Sequence, residues 1–228
     1  MTEPVKPARR RYDASRRQQQ AAQTRRRVLA AAERLLRAKG YADTSMPEIA
    51  AAADVSVQLV YKAYANKAAL LKAVFDVSVA DDDEPVPMSE RDVIGAIRAE
   101  PDAARKITMY VRHLAAGADR HMPLQLLARD AAHADRAAAD VWNRMRQETL
   151  TAMTYFAQDL FATGQVRPSL TLDEVRDVLW VYHSPECYEL LVLARGWPAE
   201  RYREFLTSAM IAAVLTPPDT TRSVTPPS

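Results

Sequence analysis

The chain has 228 residues, with only five glycines and a single cysteine. This length suits one or two domains, and the scarcity of glycine favours helix over sheet. The lone Cys187 excludes an intramolecular disulfide framework and fits a reducing cytosol. Because no apolar run approaches the ~20 residues of a membrane span, and the basic N-terminus lacks the apolar core of a secretory signal, we expect a soluble, cytoplasmic, all-α protein.

The formal net charge of +2 conceals a segregation of charge along the chain. Residues 1–75 contain 15 Lys/Arg and 6 Asp/Glu, a balance of +9, so the remaining residues carry 16 against 23, or −7. A basic N-terminal third followed by an acidic body favours a polyanion such as nucleic acid as partner of the first part. The alternative is a basic surface that is only solvated.

Both ends of the chain have the composition of disordered segments. Residues 1–20 combine proline, glutamine and six Lys/Arg with almost nothing to bury. Such an arm either contacts phosphates and minor grooves or serves as a solubilising tail. Residues 216–228 are rich in proline, threonine and serine, which predicts a second disordered tail.

Three short helical patterns follow one another between residues 24 and 63. The first runs from about Thr24 to Lys39 and stops at Gly40. Its apolar stripe consists of Val28, Leu29, Ala32, Leu35 and Leu36. The second begins with the capping-box pair Ser45 and Glu48, and the third is capped by Ser56. Two short helices with a tight turn, braced by a first helix, describe a helix-turn-helix.

From about Thr24 to Val74 the chain resembles the TetR family of bacterial transcriptional regulators. The residues that carry the resemblance are Gly40-Tyr41, Ser45, Glu48-Ile49-Ala50, Val55-Ser56, Tyr61, Tyr64, Lys67 and Leu70-Leu71. Later stretches are similar to TetR-type regulators as well, namely Leu179-Trp180, Ser184-Pro185-Glu186, Tyr188-Glu189-Leu190-Leu191 and Arg195-Gly196-Trp197. The resemblance implies a helix-turn-helix DNA-binding domain with its connecting helix over residues 21–80. A helical effector-binding and dimerisation domain would follow over residues 81–215.

The resemblance places residues 56–63 in the major groove as the reading helix. Tyr61 and Lys67 match positions that hold phosphates in the family, and a phenol and an ammonium are suitable donors for that purpose. Thr44 and Ser45 lie where a hydroxyl and a helix N-terminus are able to hold another phosphate. The alternative for Tyr61, and for Tyr64 nearby, is a core position with only the hydroxyl in water.

The reading helix offers few groups that recognise bases. Gln58 is able to bind adenine through its amide, Leu59 or Val57 to touch thymine methyl groups, and Lys62 to face the base edges. We therefore expect a site with few direct contacts, assisted by phosphates and DNA shape. Asp54 stands where the family usually has glycine, but aspartate tolerates a left-handed backbone, so the turn should survive.

The body continues with helical periodicity and contains many methionine, aromatic and histidine side chains. A long helix is predicted from about Asp135 to Thr163, and a capping box at Thr171 and Glu174 predicts another. The candidate effector contacts are Met109, Tyr110, His113, Trp142, Met145, Trp180 and His183. Together they favour a largely apolar pocket with a few polar groups, hence an apolar effector. The alternative is that these side chains are ordinary core.

Two rival interpretations come from other classes of protein. An enzyme would need a catalytic motif, and the chain has no Walker loop, HExxH, GxSxG or CxxC pair. His183, Ser184, Glu186 and Cys187 suggest a metal or nucleophile cluster, but capping by Ser184 before Pro185 explains them better. The other rival is a DNA-binding scaffold without an effector. The interpretation that accounts for most features is a homodimeric, ligand-responsive repressor on a near-palindromic operator, without metal, cofactor or catalysis.

Overall fold

The computed structural model describes residues 8–80 and 87–217, with side chains described from residue 19 onward. Within these ranges the regular structure is helical, apart from one isolated antiparallel bridge between Val166 and Leu215. The predicted all-α class is therefore confirmed. The chain divides into two compact units: the first comprises residues 1–83 and 127–142, the second residues 84–126 and 143–228.

The first unit contains four helices in the predicted order. They are α1 (Ala8–Lys39), α2 (Met46–Ala52), α3 (Val57–Ala63) and α4 (Lys67–Ala80). α1 is longer than expected, because residues 8–20 are helical where the composition predicted a disordered arm. Arginine, glutamine and alanine dominate that stretch and are good helix formers, so local propensity favours the helix even without a core to bury. Residues 1–7 lie outside the described part of the chain.

The core of the first unit forms where the apolar stripe of α1 meets α2 and α4. The buried side chains are Val28, Leu29, Ala32 and Leu36 on α1, Ile49 and Ala50 on α2, Val60 on α3, and Leu70, Leu71 and Val74 on α4. Each large aliphatic side chain contributes ~1.5–3 kcal/mol when fully buried. This burial is what holds α2 and α3, since helices of seven residues are not stable alone.

The caps predicted between these helices are present. Ser45 Oγ accepts a hydrogen bond from the Glu48 amide at 3.3 Å, and Glu48 Oε2 accepts one from the Ser45 amide at 3.0 Å, which completes the capping box. Ser56 Oγ accepts from the Leu59 amide at 3.2 Å. Asp54 has a φ of 53°, so the turn between α2 and α3 survives with aspartate in the left-handed conformation.

The second unit is built from longer helices around a separate core. Its regular elements are a 3-10 turn (Met88–Glu90), α5 (Asp92–Ala99), α6 (Ala103–Ala131), α7 (Arg136–Phe161), α8 (Leu172–His183), α9 (Pro185–Tyr188), a π-helical segment (Glu189–Ala194) and α10 (Ala199–Val214). The last residues of α6 and the first of α7 belong to the first unit. The largest core side chains include Ile107, Leu114, Met122, Met153, Phe156, Leu160, Leu179, Leu206 and Met210.

Several local predictions for this region are confirmed. The long helix expected over residues 135–163 is α7, and Gly164 adopts a positive φ of 69° after it. Thr171 and Glu174 form the predicted capping box at the start of α8. Ser184 accepts a hydrogen bond from the Cys187 amide and caps α9, with Pro185 in the first turn. Residues 81–86, in the predicted acidic loop, and residues 218–228 of the predicted tail lie outside the described residues.

Among the helices of residues 8–80 and 87–217, none has the length and apolar character needed to span a bilayer.

Candidate functional site

The exposed face of α3 is the first candidate site. The Ser56 cap begins the helix, and Val60, with no exposed surface, anchors its inner side. Because side chains of a helix repeat every 3.6 residues, the neighbours of Val60 project outward. Gln58, Leu59, Tyr61 and Lys62 are all exposed, and Val57 is half-buried at the edge of the face.

The exposure of this face decides the alternative raised for the two tyrosines. Tyr61 is 50% exposed and Leu59 is 40% exposed, so neither is a core residue of the first unit. Tyr64 is half-buried at the end of α3, and burial raises the pKa of its phenol while Arg25 acts in the opposite direction. The structure thus presents one amide, one ammonium, one phenol and one large apolar side chain together on the reading helix.

The hydroxyl groups of Thr44 and Ser45 are already engaged within the protein. Thr44 is 1% exposed, and its Oγ1 donates to the Gly40 carbonyl at 2.8 Å. Ser45 is exposed at the start of α2, and its hydroxyl donates to Glu48 Oε2 at 2.9 Å. Thr44 therefore holds the turn after α1, and a phosphate contact by either residue stays a prediction.

Lys67 has an internal role that the sequence did not reveal. Its ammonium donates to the carbonyl oxygens of Tyr41, Thr44 (2.7 Å) and Ala42 (3.4 Å), and it lies 4.1 Å from the centre of the Tyr41 ring. Burial lowers the pKa of Lys67, and the acids Asp135, Asp43 and Glu48 oppose this. All three ammonium protons are thus directed at the turn that follows α1. Direct phosphate binding by Lys67 stays a prediction, and the structure gives the residue a different task.

Tyr41 joins this turn to the start of α7. Its hydroxyl donates to Asp135 Oδ2 at 2.6 Å across 94 residues of sequence. Asp135 Oδ1 also accepts from the amides of Ala137 (2.8 Å) and Ala138 (3.3 Å), so it caps α7 as well. Burial raises the pKa of Tyr41 and the Asp135 hydrogen bond adds to the effect, while that bond lowers the pKa of Asp135. No local pattern in the sequence could have found this pair.

Arginines on α1 add positive charge to the surface of the first unit. Arg25, Arg26 and Arg27 are exposed in consecutive positions. Arg27 lies 3.6 Å from Asp54, whose side chain is fully exposed beside the turn between α2 and α3. An ion pair so exposed contributes little to stability, so Arg27 is able to exchange Asp54 for another anion.

The predicted effector contacts are only partly brought together. Tyr110 donates a hydrogen bond to, or accepts one from, His183 Nδ1, and its ring stacks on Phe156 with centroids 4.5 Å apart. Met109 and Trp180 pack against the same core, whereas Met145 is fully buried elsewhere on α7. His113 is half-buried one turn along α6 from Tyr110. Trp142 belongs to the first unit, so the predicted set is divided between the two units.

Two polar atoms in the second unit are buried without a hydrogen-bond partner among the described residues. They are His121 Nδ1 and the hydroxyl of Tyr202, in side chains that are 6% and 1% exposed. An unsatisfied buried polar atom costs about 1–3 kcal/mol. The sequence prediction missed both residues. The spacing signal for His121 was its position 11 residues after Tyr110, which is three helical turns along the same face of α6.

The geometry of the first unit agrees with a family found by comparison with known proteins. Residues 28–74 match the family model described as bacterial regulatory proteins, tetR family. The matched segment contains all of α2 and α3 together with the second half of α1 and half of α4. No curated protein matches the chain.

Solved structures match the fold over most of the chain. A transcriptional regulator from Saccharomonospora viridis in complex with choline has a TM-score of 0.64 at 16% identity, covering 85% of this chain and 98% of its own. A TetR-family regulator from Syntrophomonas wolfei has a TM-score of 0.65 at 16% identity, covering 83% and 94%. The regulator FadR from Bacillus subtilis, in complex with stearoyl-CoA, has a TM-score of 0.61 at 18% identity, covering 80% and 97%. At these identities the likeness concerns the fold.

Proposed function

Because the chain belongs to the TetR family of bacterial regulatory proteins, a family of DNA-binding transcriptional regulators, we propose that it is a homodimeric repressor acting in the cytoplasm. The two α3 helices of the dimer enter successive major grooves of a near-palindromic operator, about 34–36 Å apart. A small, largely apolar effector binds the second unit and favours a state in which this separation is wrong. No catalysis, metal or cofactor takes part.

The observation that carries the proposal is the exposed face of α3. Gln58 has the amide geometry for adenine, Leu59 is an apolar partner for thymine methyl groups, and Tyr61 and Lys62 are donors for phosphates or base edges. Leu59 and Tyr61 are 40% and 50% exposed although both are large and partly apolar. A partner that buries them gives that exposure a purpose.

Exposed apolar side chains on the last helices support the homodimer. Val181 on α8 is 55% exposed and Phe205 on α10 is 37% exposed. Leu190 and Leu193 on the π-helical segment are 63% and 54% exposed. An isologous interface between two copies would bury these side chains twice over, and it would place the two reading helices in a fixed relation.

The composition of the second unit supports a small-molecule effector. Its core contains Tyr110, His183 and Phe156 in mutual contact, which is a mixture of apolar walls with a few polar groups. Two structurally similar regulators were solved with small molecules, one with choline and the other with stearoyl-CoA. For the present chain these complexes support a ligand-responsive body and do not define its ligand.

Asp135 supports a route by which the body influences DNA binding. It caps α7, a helix that continues into the second unit, and it accepts the Tyr41 hydrogen bond at 2.6 Å. A shift of α7 along its axis would therefore disturb the turn that Lys67 and Thr44 hold together. The effector needs a differential affinity of only ~1–3 kcal/mol for the two states to change operator affinity 5–150-fold.

The test is selection of bound genomic DNA fragments by the purified protein, followed by affinity measurements on the selected site. Tyr61→Phe removes one hydroxyl and should weaken operator binding by about 3–10-fold, the value of one hydrogen bond. Tyr155→Phe is the matched control, because Tyr155 is 59% exposed on α7. Affinity should also fall steeply with salt. Selection without any sequence preference, or equal effects of the two variants, would contradict the proposal.

A further inference from the structure

One face of α6 in the second unit carries polar residues that the DNA interface does not use. Tyr110, His113, Gly117 and His121 follow at intervals of three and four residues, so they lie on a single stripe of the helix. His121 is 6% exposed, and its Nδ1 has no hydrogen-bond partner within the described residues. A native core rarely keeps such an atom unless a water or a ligand satisfies it.

Glycine is required where the imidazole of His121 approaches α6. A Cβ atom at Gly117 would lie 3.2 Å from His121 Nδ1 and 3.4 Å from its Cε1. A methyl group there would push the ring away. The other glycine inside a helix, Gly95 on α5, has open space at the same position. The helix interior therefore accepts a poor helix former at the single place where it admits the His121 ring.

A second buried polar atom without a partner lies on α10. Tyr202 is 1% exposed, and its ring packs edge-on against Tyr188 with centroids 5.7 Å apart. Its hydroxyl has no partner among the described side chains and backbone, and it is near enough to Tyr110 for the two phenols to influence each other's pKa. Between the two unpaired atoms stands the hydrogen-bonded pair of Tyr110 and His183.

The charged and titratable groups around His121 are all neutral or basic. Burial lowers the pKa of His121 to about 3, and His183 on α8, Arg120 and His113 on α6 lower it further, while the Gly117 backbone opposes them. Burial lowers the pKa of His183 to about 4, with His113 adding to it, and Arg91 ahead of α5 acts on His113. From α7 the neighbours are the apolar Phe156 and Met153, and from α10 the neutral Tyr202. No carboxylate is among the groups that influence these histidines.

This environment discriminates between classes of ligand. A cation would add like charge to a site that already disfavours protonated histidine. A neutral head group would satisfy Nδ1 but gain nothing from the surrounding basic groups. A carboxylate accepts a hydrogen bond and, as an opposite charge, stabilises the protonated form of His121. The apolar core provides the surface for the rest of such a molecule.

We propose that the second unit binds an amphipathic organic acid whose single carboxylate accepts a hydrogen bond from His121, while its apolar part lies against core side chains such as Met122 and Phe156. This rests on the proposed ligand-responsive function and deepens it by naming the chemical class of the effector. Binding of the anion brings a proton onto His121. The affinity for the carboxylate therefore falls as pH rises, by up to ~10-fold per pH unit.

The test compares head groups on one chain length. Octanoate, 1-octanol and octylamine are titrated into the full-length protein at pH 6, 7 and 8, with binding followed by calorimetry. Octanoate should bind at least 10-fold more tightly than the alcohol or the amine, and its affinity should fall from pH 6 to pH 8. Equal binding of the alcohol, preference for the amine, a flat pH profile for octanoate, or no binding of any probe would each overturn the proposal.

Two pairs of variants assign the effect to His121. His121→Gln keeps a hydrogen-bonding group but cannot carry charge, so it should weaken octanoate at least 10-fold and abolish the pH dependence, whereas His133→Gln, at an exposed position, should change neither. If His121→Gln fails to fold, Gly117→Ala displaces the imidazole and should also weaken octanoate, with Gly95→Ala as control. Equal octanoate affinity in either pair would overturn the assignment.

The inference and the function on which it rests fail separately. Operator binding by the ligand-free protein tests the proposed repressor. Protein that binds its operator but prefers the alcohol or amine would overturn only the organic acid. Protein that binds octanoate as described but selects no DNA would overturn only the repressor.

Discussion

At the scale of single residues, Lys67 and Lys62 show how differently two lysines of one short segment are used. Lys67 directs its ammonium at the carbonyl oxygens of Tyr41, Ala42 and Thr44 and lies over the Tyr41 ring. Lys62 is exposed on α3. The backbone turn after α1 needs donors for its carbonyls, because the last carbonyls of a helix have no partner inside it. A lysine close in space meets that need.

This difference leads to a prediction about stability and DNA affinity. Lys67→Met keeps the apolar stem but removes the charged donor, so it should lower the free energy of unfolding by roughly 1.5–3 kcal/mol. Lys62→Met should leave unfolding unchanged within about 0.5 kcal/mol and weaken operator binding. Urea unfolding and DNA titration of both variants measure the two effects. Equal stability of the two variants would refute the internal role of Lys67.

A second prediction at this scale concerns acid. Burial lowers the pKa of His121 to about 3 and of His183 to about 4, whereas an unfolded histidine titrates near 6.5. Below pH ~6.5 the unfolded chain therefore binds more protons than the folded one, and each histidine subtracts up to ~1.4 kcal/mol per pH unit. Stability should fall as pH drops from 7 to 5, and His121→Gln should fall less steeply than His133→Gln in urea unfolding. Identical slopes would show that His121 is not buried in its neutral form.

At the scale of secondary structure, α3 depends on its ends more than on its own length. It has seven residues, one buried anchor in Val60, and a serine cap that accepts a hydrogen bond from the Leu59 amide at 3.2 Å. Its exposed face would not keep a defined orientation without these two supports. By contrast, α6 and α7 are long helices with 29 and 26 residues, and their burial alone supports them.

The cap of α3 gives a prediction about the reading helix. Ser56→Ala removes the acceptor for the first free amides, so it should lower the free energy of unfolding by about 0.5–2 kcal/mol. Operator affinity should decrease with it, because the start of α3 frays. Ser208→Ala, at an exposed position inside α10, serves as control and should change neither. Circular dichroism melting and DNA titration check both outcomes; a Ser56→Ala variant as stable as the control would contradict the importance of the cap.

At the scale of the whole molecule, the two units have separate cores and different chemistry. The first unit presents an exposed reading helix together with exposed arginines on α1. The second has unpaired polar atoms inside and large apolar side chains outside, including Val181 at 55% and Leu190 at 63% exposure. The proposed repressor needs both: a surface for DNA, and a body that binds a second copy and an effector.

The proposed dimer gives the prediction at this scale. Val181→Glu places a charge on the exposed face of α8 and should convert dimers into monomers, because a buried unpaired charge costs several kcal/mol. Val93→Glu, on α5 at 38% exposure, should leave the dimer intact. Analytical ultracentrifugation measures the mass, and operator affinity should fall with the loss of the dimer. A fully dimeric Val181→Glu protein would move the interface away from α8.

The sequence by itself determined what depends on neighbours along the chain. Capping by Ser45, Ser56, Thr171 and Ser184, the left-handed Asp54 and the bounds of α2 to α4 follow from contacts within a few residues, so spacing alone predicts them. The same holds for the family resemblance and for the outward positions of Gln58, Leu59, Tyr61 and Lys62. The long α1 was wrongly expected to begin after a disordered arm, because propensity was given less weight than the lack of a core.

Only the tertiary structure decided how distant side chains use their polar atoms. Lys67 is matched to carbonyls 23 to 26 residues away, and Tyr41 to a carboxylate 94 residues away. Likewise, the lack of a partner at His121 Nδ1 became visible only once the second unit was assembled. The physical reason is that hydrogen bonds and desolvation depend on the few ångströms around an atom, and folding brings together groups whose separation in sequence carries no periodic signal.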